Sequence, residues 1–508
     1  MRSFKTKAKE VFESERTSSG ILTAVIIATV IALNVVIFAI GNIFGLSFTT
    51  EEKDMVVLTG NTDSLFEEAI ADGKKVTISF CFPSSEDLEG HDTGNRVHKT
   101  ALEFEARYSD FDFIDIEYIN LVTGYNHKAE DVTEKIERYQ LDERGNKNYF
   151  AKASVIFECG DNYKVVTDTY SSAGFADFYT IDSTGNATSY NGEAFMASMI
   201  HWVTVENHPT AYFTVGHSEQ LDRAFANVLV SAGYYIDTVD LKNEEVPSDA
   251  GLLIISNPLS DFEKGSGVRT ELERLDTYVR DGGNIYVALD PYVKKLPIIE
   301  GFLKGHGIEF SETDSDGTML RNMVKDPNNA ITTDGFTLVA NFADNSIANE
   351  ISKSVYDYST GNVIVREAAA LKLSGTAQPL LVSTGSSLLE AGGEEVDGEG
   401  NYPVAACAKV KGDRDKVASI CVFSSIYISV SDALVTNGYA NTDFMYSLFD
   451  NFYGHGAMPY GCDVIKIDTS TLENLTMGTA KIYTALILAV PVAIAVFGTV
   501  TVIRRKNR

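Results

Sequence analysis

The sequence predicts an α/β protein: two extracytoplasmic α/β domains, the second with a mainly parallel sheet covered on both faces, flanked by one N-terminal and one C-terminal transmembrane helix. Three observations predict it. Apolar, strand-like runs alternate with helical patterns through the middle of the chain. Two long uncharged apolar stretches lie near its ends. The rest is globular in composition, 44% hydrophobic and 22% charged, far from the profile of a disordered chain. With 508 residues there is enough chain for two or three domains that each bury a core.

The stretch 21–44, ILTAVIIATVIALNVVIFAIGNIF, holds 24 uncharged residues, about 36 Å as a helix at roughly 1.5 Å per residue. The stretch 482–503 holds 22, about 33 Å by the same rise. Both lengths suffice to span a bilayer. Arg2, Lys5, Lys7, Lys9 and Arg16 precede the first; Arg504, Arg505, Lys506 and Arg508 follow the second. The positive-inside rule then places both termini in the cytoplasm and residues 45–480 outside, in a plasma membrane. The first stretch is longer than a signal-peptide core and no small-x-small site follows it, so an uncleaved anchor is expected. The expected organisation is a basic segment 1–20, spans 21–44 and 482–503, domains 45–207 and 208–460, a juxtamembrane linker 461–481 and a basic tail 504–508.

In the first domain, KKVTISFCF (74–82) reads as a strand. Residues 97–108 read as a helix with Ala101, Leu102 and Phe104 apolar, and FDFIDIEYI (111–119) as the next strand. ASVIFECG and NYKVVTD form a hairpin turning at Gly160-Asp161. A helix over 195–205 carries the sole tryptophan, Trp202, and ends at Asn207-His208-Pro209, a boundary signal.

A second βαβ series follows. Residues 210–215 are a strand, and a helix has Leu221, Phe225, Val228 and Leu229 on one face, ended by Gly233. GLLIIS (251–256) is a strand; a helix with Leu272, Leu275 and Val279 stops at Asp281-Gly282-Gly283; NIYVAL (284–289) is a third strand. Strands alternating with helices at this spacing imply a mainly parallel sheet with both faces covered. PLLVST and VAACAKV are strands flanking an acidic glycine-rich loop, 391–401. VASICVFSS is another strand, and 441–453 a closing helix with Phe444, Leu448 and Phe452.

Composition removes one class of function. The chain carries 42 basic against 71 acidic residues, a net charge of −29, and outside the terminal segments the balance nears −35. Nucleic-acid binding needs clustered Lys and Arg, so no nucleic-acid partner is expected. The five cysteines include no CxxC pair, and Cys407 and Cys421 lie in apolar strands where buried thiols are expected. Neither HExxH nor a P-loop occurs. The run Glu312-x-Asp314-x-Asp316-Gly317 resembles a calcium loop but has Met323 where the bidentate Glu belongs, so it reads as a solvated turn. No metal and no cofactor are expected.

Three strands of the second domain end in Gly216-His217, Asn257-Pro258 and Asp290-Pro291. Open parallel sheets bind ligands beyond the carboxyl ends of their strands, at a topological switch point. Gly216, His217, Ser218, Asn257 and Asp290 are therefore the candidate ligand-binding residues. Gly216-His217-Ser218-Glu219-Gln220 nearly matches the nucleophile elbow G-x-S-x-G, but Gln220 replaces its last glycine. The favoured reading is that Ser218 caps the following helix and Glu219 complements its positive end, leaving no catalytic residue. In the apolar stretches, Ala24, Ala28 and Ala32, and likewise Ala485, Ala489 and Ala493, recur every four residues. Such stripes let helices approach closely in lipid, and Asn34 adds a mid-membrane polar group.

The stretch from Asn34, NVVIFAIGNIFGLSFTTEEKDMVVLTGNTDSLFEEAIADGKKVTISF, resembles the opening of the GldG-like auxiliary components of ABC transporters, a gliding-motility-associated family. GEAFMASMIHWVTVENHPTAYFTVGHSEQ is similar to that family's helix, linker and strand ending in Gly-His-Gly-Glu, with Ser218 here in place of the second glycine. AGYYIDTVDL, VPSDAGLLIISNPLSDF and LERLDTYVRDGGNIYVALDP follow in the family's order, and a C-terminal span with a basic tail completes the pattern. The resemblance implies a non-catalytic partner of a separate ABC permease and ABC ATPase. It supplies no catalytic residue and no substrate. The alternatives are a membrane-anchored surface hydrolase using Ser218, and a stand-alone surface receptor or adhesin.

Overall fold

The computed structural model describes residues 56–89, 92–141, 147, 154–167, 176–181, 187–263, 269–315, 317–359, 361–436, 438–453 and 458–467. Both expected spans, with Ala24, Ala28, Ala32, Asn34, Ala485, Ala489 and Ala493, lie outside the described residues, as do both basic termini and most of the linker. Among the described residues no helix is long and apolar enough to cross a membrane.

The described chain is mixed α/β with mixed sheets. The first sheet joins β1 (Val76–Phe80), β2 (Ile114–Asn120), β3 (Tyr125–Asn126), β4 (Val155–Cys159) and β5 (Asn162–Val166) in the order β3-β2-β1-β4-β5. Only β1 and β2 are parallel, and the helix α1 (Asp92–Arg107) makes that crossover. Val97, Ala101 and Phe104 of α1 are buried, whereas Leu102, also apolar, is exposed. The helix α2 (Gly192–Thr204) packs on β4 and β5. It also touches α3 (Arg223–Ser231), so one helix serves both halves of the chain.

The second sheet has nine strands. In chain order they are β6 (Thr210–Thr214), β7 (Tyr235–Val239), β8 (Ala250–Ser256), β9 (Asn284–Ala288), β10 (Thr337–Phe342), β11 (Val363–Arg366), β12 (Ala377–Val382), β13 (Pro403–Lys411) and β14 (Val417–Phe423). Their spatial order is β11-β10-β12-β13-β14-β9-β8-β6-β7. The pairs β7/β6, β6/β8, β8/β9 and β9/β14 are parallel, and β14/β13, β13/β12, β12/β10 and β10/β11 are antiparallel. The expectation of a mainly parallel sheet is therefore corrected: the sheet is half parallel and half antiparallel. The cause is local. The turn 412–416 between β13 and β14 is too short for a crossover, and short connections join only antiparallel neighbours. The stretch 391–401 is likewise not a loop throughout, because Glu394–Gly400 pairs with Ser387–Ala391 as a strand.

Both faces of the second sheet are covered, as expected. Phe213, Ile254, Tyr286 and Phe423 project to one face, where α3, α6 (Ser346–Tyr358) and α7 (Asn441–Tyr453) bury them. Alternate residues Tyr212, Leu253, Val287 and Val422 meet α4 (Glu271–Arg280) and α5 (Pro297–Gly305) on the other. That alternation is the period-2 geometry of strands.

The two ends of the described chain meet. Thr59 donates its N–H to both carboxylate oxygens of Glu193, at 2.9 and 3.0 Å, and its hydroxyl to one of them at 2.8 Å. Asn61 Nδ2 donates to Gly461 O at 2.7 Å. Ile465–Lys466 then pairs with Ala187–Tyr190. Incoming and outgoing segments are thus fixed on the same few residues around the start of α2.

Candidate functional site

The chain leaves β6 outward to β7 at the sheet edge and returns to β8 on the other side of β6. The direction reverses between β6 and β8, so the topological switch point lies where the loops after these strands emerge. The structure brings four of the candidate residues together there.

His217, just after β6, is 1% exposed. Its Nε2 lies 2.8 Å from Glu271 Oε1 at the start of α4, and Glu271 is itself buried. As a carboxylate Glu271 accepts, which places the proton on Nε2 and turns Nδ1 toward Ser260 Oγ at 3.4 Å. The ring stacks on Phe262 at 4.5 Å, and Glu263 N–H donates to the second Glu271 oxygen at 2.6 Å. His217 is a satisfied core group that ties the loop after β6 to the loop after β8.

Asn257, also 1% exposed, donates from Nδ2 to Gln220 Oε1 at 3.0 Å and accepts from Asp290 N–H at 3.0 Å. It cross-links the three strand ends. Its left-handed backbone, φ +48°, is a conformation that Asn tolerates better than most residues. One oxygen of the Asp290 carboxylate serves its own turn, accepting from Tyr292 N–H at 2.8 Å.

Ser218 does not cap α3, contrary to expectation. Asp222 does, accepting from Ala224 and Phe225 N–H at 2.8 and 3.2 Å. The helix begins at Arg223 because Gln220 N–H is held by Ser256 O at 2.9 Å, which keeps the chain extended across the end of β8. Leu221 consequently falls outside the helix and is exposed. Glu219 accepts from His217 N–H at 2.8 Å rather than facing the helix end. Ser218 is exposed with φ +59°, beside Gly216 at φ +112°. The left-handed serine is a feature of a nucleophile elbow, but the adjacent imidazole is committed to Glu271 and Ser260.

A cavity of about 320 Å³ opens beyond the strand ends, lined by Gln220, Asp222, Phe225, Ser256, Ile426 and Ser429. None of the five candidate residues lines it, and Asn257 reaches it only through Gln220. A larger cavity of about 460 Å³ lies against α3 and α7, with Asn191, Arg223, Asn227, Tyr439, Asp443 and Cys462 on its wall. Burial raises the Asp443 carboxyl above its ordinary value, opposed by Gly461 N–H, which donates to Asp443 Oδ1 at 3.0 Å. Sequence reasoning missed Glu271, Ser260 and Gln220. The Thr270–Glu273 capping box marks where α4 begins, but such a box does not show which side chain faces His217. Glu312 and Asp314 stand on a β-hairpin, where Gly317 N–H donates to Asp314 Oδ1 at 2.8 Å, in keeping with a solvated turn.

No protein-family model matches the sequence, and a search of curated proteins finds no match. Among solved structures, the mmIFT52 N-terminal domain is similar over 48% of this chain and 97% of its own, at 18% identity and a TM-score of 0.36. A ThuA-like protein from Bacteroides uniformis matches over 50% of this chain and 95% of its own, at 11% identity and a TM-score of 0.29. PurLQS from Thermotoga maritima matches over 48% and 99%, at 11% identity and a TM-score of 0.25. Likenesses this distant carry no argument about function.

Proposed function

We propose that the chain is a non-catalytic, membrane-anchored auxiliary subunit of an ABC transporter, with 45–480 outside the plasma membrane and separate permease and ATPase chains as partners. The observation that supports the anchoring is the meeting of the described chain ends: Asn61 donates to Gly461 O, so residues near 61 and 461 lie together. A two-span anchor is compatible with that arrangement. The transporter partner rests on the order of sequence blocks that resemble those of the GldG-like family. The strand-end residues support the non-catalytic part, because His217, Asn257 and Asp290 use their polar groups on one another and on neighbouring loops.

Solubilising the tagged full chain in mild detergent and identifying what co-purifies tests the reading. A parallel sample carries Ala28→Leu and Ala489→Leu, which keep hydrophobicity but block close helix approach. Co-purification of an ABC ATPase and permease, lost in the double variant, is the expected result. Neither subunit recovered even after crosslinking would overturn it.

A further inference from the structure

β14 is the seam of the nine-stranded sheet, parallel to β9 on one side and antiparallel to β13 on the other. Across that antiparallel pair, Cys407 stands directly opposite Cys421. Two backbone bonds fix the class of the position. Gly412 N–H donates to Lys416 O at 2.8 Å, and Ser424 N–H donates to Val404 O at 3.1 Å. Hydrogen-bonded and non-hydrogen-bonded pairs alternate along an antiparallel ladder. Stepping inward from either end makes 410–418, 408–420 and 406–422 the hydrogen-bonded pairs, and Cys407–Cys421 a non-hydrogen-bonded one. At such positions the Cα atoms approach to about 4.5 Å and the side chains are closest. A disulfide spans Cα separations of roughly 4.4–6.8 Å. The adjacent non-hydrogen-bonded pair is already bridged through its side chains, Lys409 Nζ donating to Ser419 Oγ at 2.9 Å. Both cysteines project to the same buried face, beside Tyr286 and Phe423.

We propose that Cys407 and Cys421 form an intramolecular cross-strand disulfide in the mature protein, a modification site that staples the parallel half of the sheet to the antiparallel half. The proposal rests on the outer placement of 45–480 for its oxidising surroundings. The oxidant is a disulfide, either a small molecule or a carrier protein. One of the two cysteines, as its thiolate, attacks one sulfur of that disulfide and displaces a thiolate. The other cysteine then gives up its proton, its sulfur attacks the sulfur of the first, and the second carrier thiolate leaves. Two protein thiols and one carrier disulfide become one protein disulfide and two carrier thiols. The Cys421 thiol donates to the Cys407 sulfur and, with Lys409 nearby, holds Cys407 below the usual thiol range, whereas burial pushes Cys421 well above it. The two side chains are 1% and 0% exposed, so exchange precedes the closing of α7 over this face. Cys81 and Cys159 have no such arrangement: Phe80 pairs with Val155, which puts them at opposite ends of the β1–β4 ladder.

The test begins with the full chain, refolded in detergent with oxidised glutathione, alkylated with a maleimide and peptide-mapped. The expected map has one 407–421 bridge and three alkylated cysteines, and Cys407→Ser abolishes the bridge. Five alkylated cysteines, or a bridge between other residues, would overturn the proposal. The same map is then made from membranes of acid-quenched, alkylated cells, alongside protease digestion of intact cells. A bridge in cells supports the proposal. Five thiols in cells overturn it if the acidic region is digested from outside. If that region is protected, the outer placement falls as well.

Discussion

The imidazole of His208 lies parallel to the indole of Trp202, with ring centroids 3.8 Å apart and planes at 14°. Its two nitrogens face Trp202 O and Gly233 O, each at 3.1 Å, and Tyr235 closes on both rings edge-on. The position expected to be a boundary between two domains is therefore a packed joint. His208→Ala removes the stacking and its hydrogen bonds, with an expected loss of about 1–3 kcal/mol. As Trp202 is the sole tryptophan, its fluorescence in a urea titration reports this joint directly. An unchanged midpoint and emission maximum would refute the packed-joint account.

Glu271→Ala leaves His217 buried without its main partner, at an expected cost of about 2–3 kcal/mol, the desolvation penalty of an orphaned polar group. Glu271→Gln keeps an acceptor and costs less. Hydrogen exchange adds a local readout. Leu259 and Ser260 N–H, both bonded to His217 O, exchange faster in the alanine variant.

Replacing the helix cap separates the two readings of the loop after β6. Asp222→Ala loses the cap bonds of α3 and the contacts with Ser431 N–H and Oγ at 3.2 Å, costing about 1–2 kcal/mol. Ser218→Ala changes stability by no more than about 0.5 kcal/mol, as for an exposed residue outside such features. Thermal unfolding of the two variants checks the order. A larger loss for Ser218→Ala would restore it as the structural residue.

The raised Asp443 carboxyl gives stability a defined pH slope. Burial raises its folded value above the unfolded 3.8, so between these two values the folded state binds more protons than the unfolded state. Its contribution is present at low pH and lost as pH rises through the folded value. Asp443→Asn keeps an acceptor for Gly461 N–H and removes this slope, so the variant gains on the wild type as pH rises from about 4 to 7. Denaturant midpoints at four pH values suffice. A parallel pair of profiles would sink the assignment.

Much of the second sheet was legible because its strands are buried on both faces and its helices carry a clear apolar stripe. The closing helix 441–453 and the strands ending at Ser256 and Ala288 stand where the sequence puts them. The strand 394–400 was not legible because almost every side chain on it is exposed and several are acidic, leaving no alternation to read. Leu221 misled because it fits the helical spacing while the helix starts two residues later. At the site, strand ends identified the right neighbourhood. The partner of His217 lies 54 positions away, and only the tertiary fold decides which carboxylate fills that place.

The seam strand has a consequence for synthesis. Ser419 N–H, on β14, donates to Asn284 Oδ1, on β9, across 135 positions. Until β14 emerges, β9 presents a bare edge of unpaired backbone groups between apolar faces. At about 5–20 residues per second, a ribosome needs roughly 7–27 s to supply the missing strand. That interval far exceeds the time in which helices and hairpins form. The nascent chain therefore carries an aggregation-prone edge for seconds, until the late strand arrives and pairs with it.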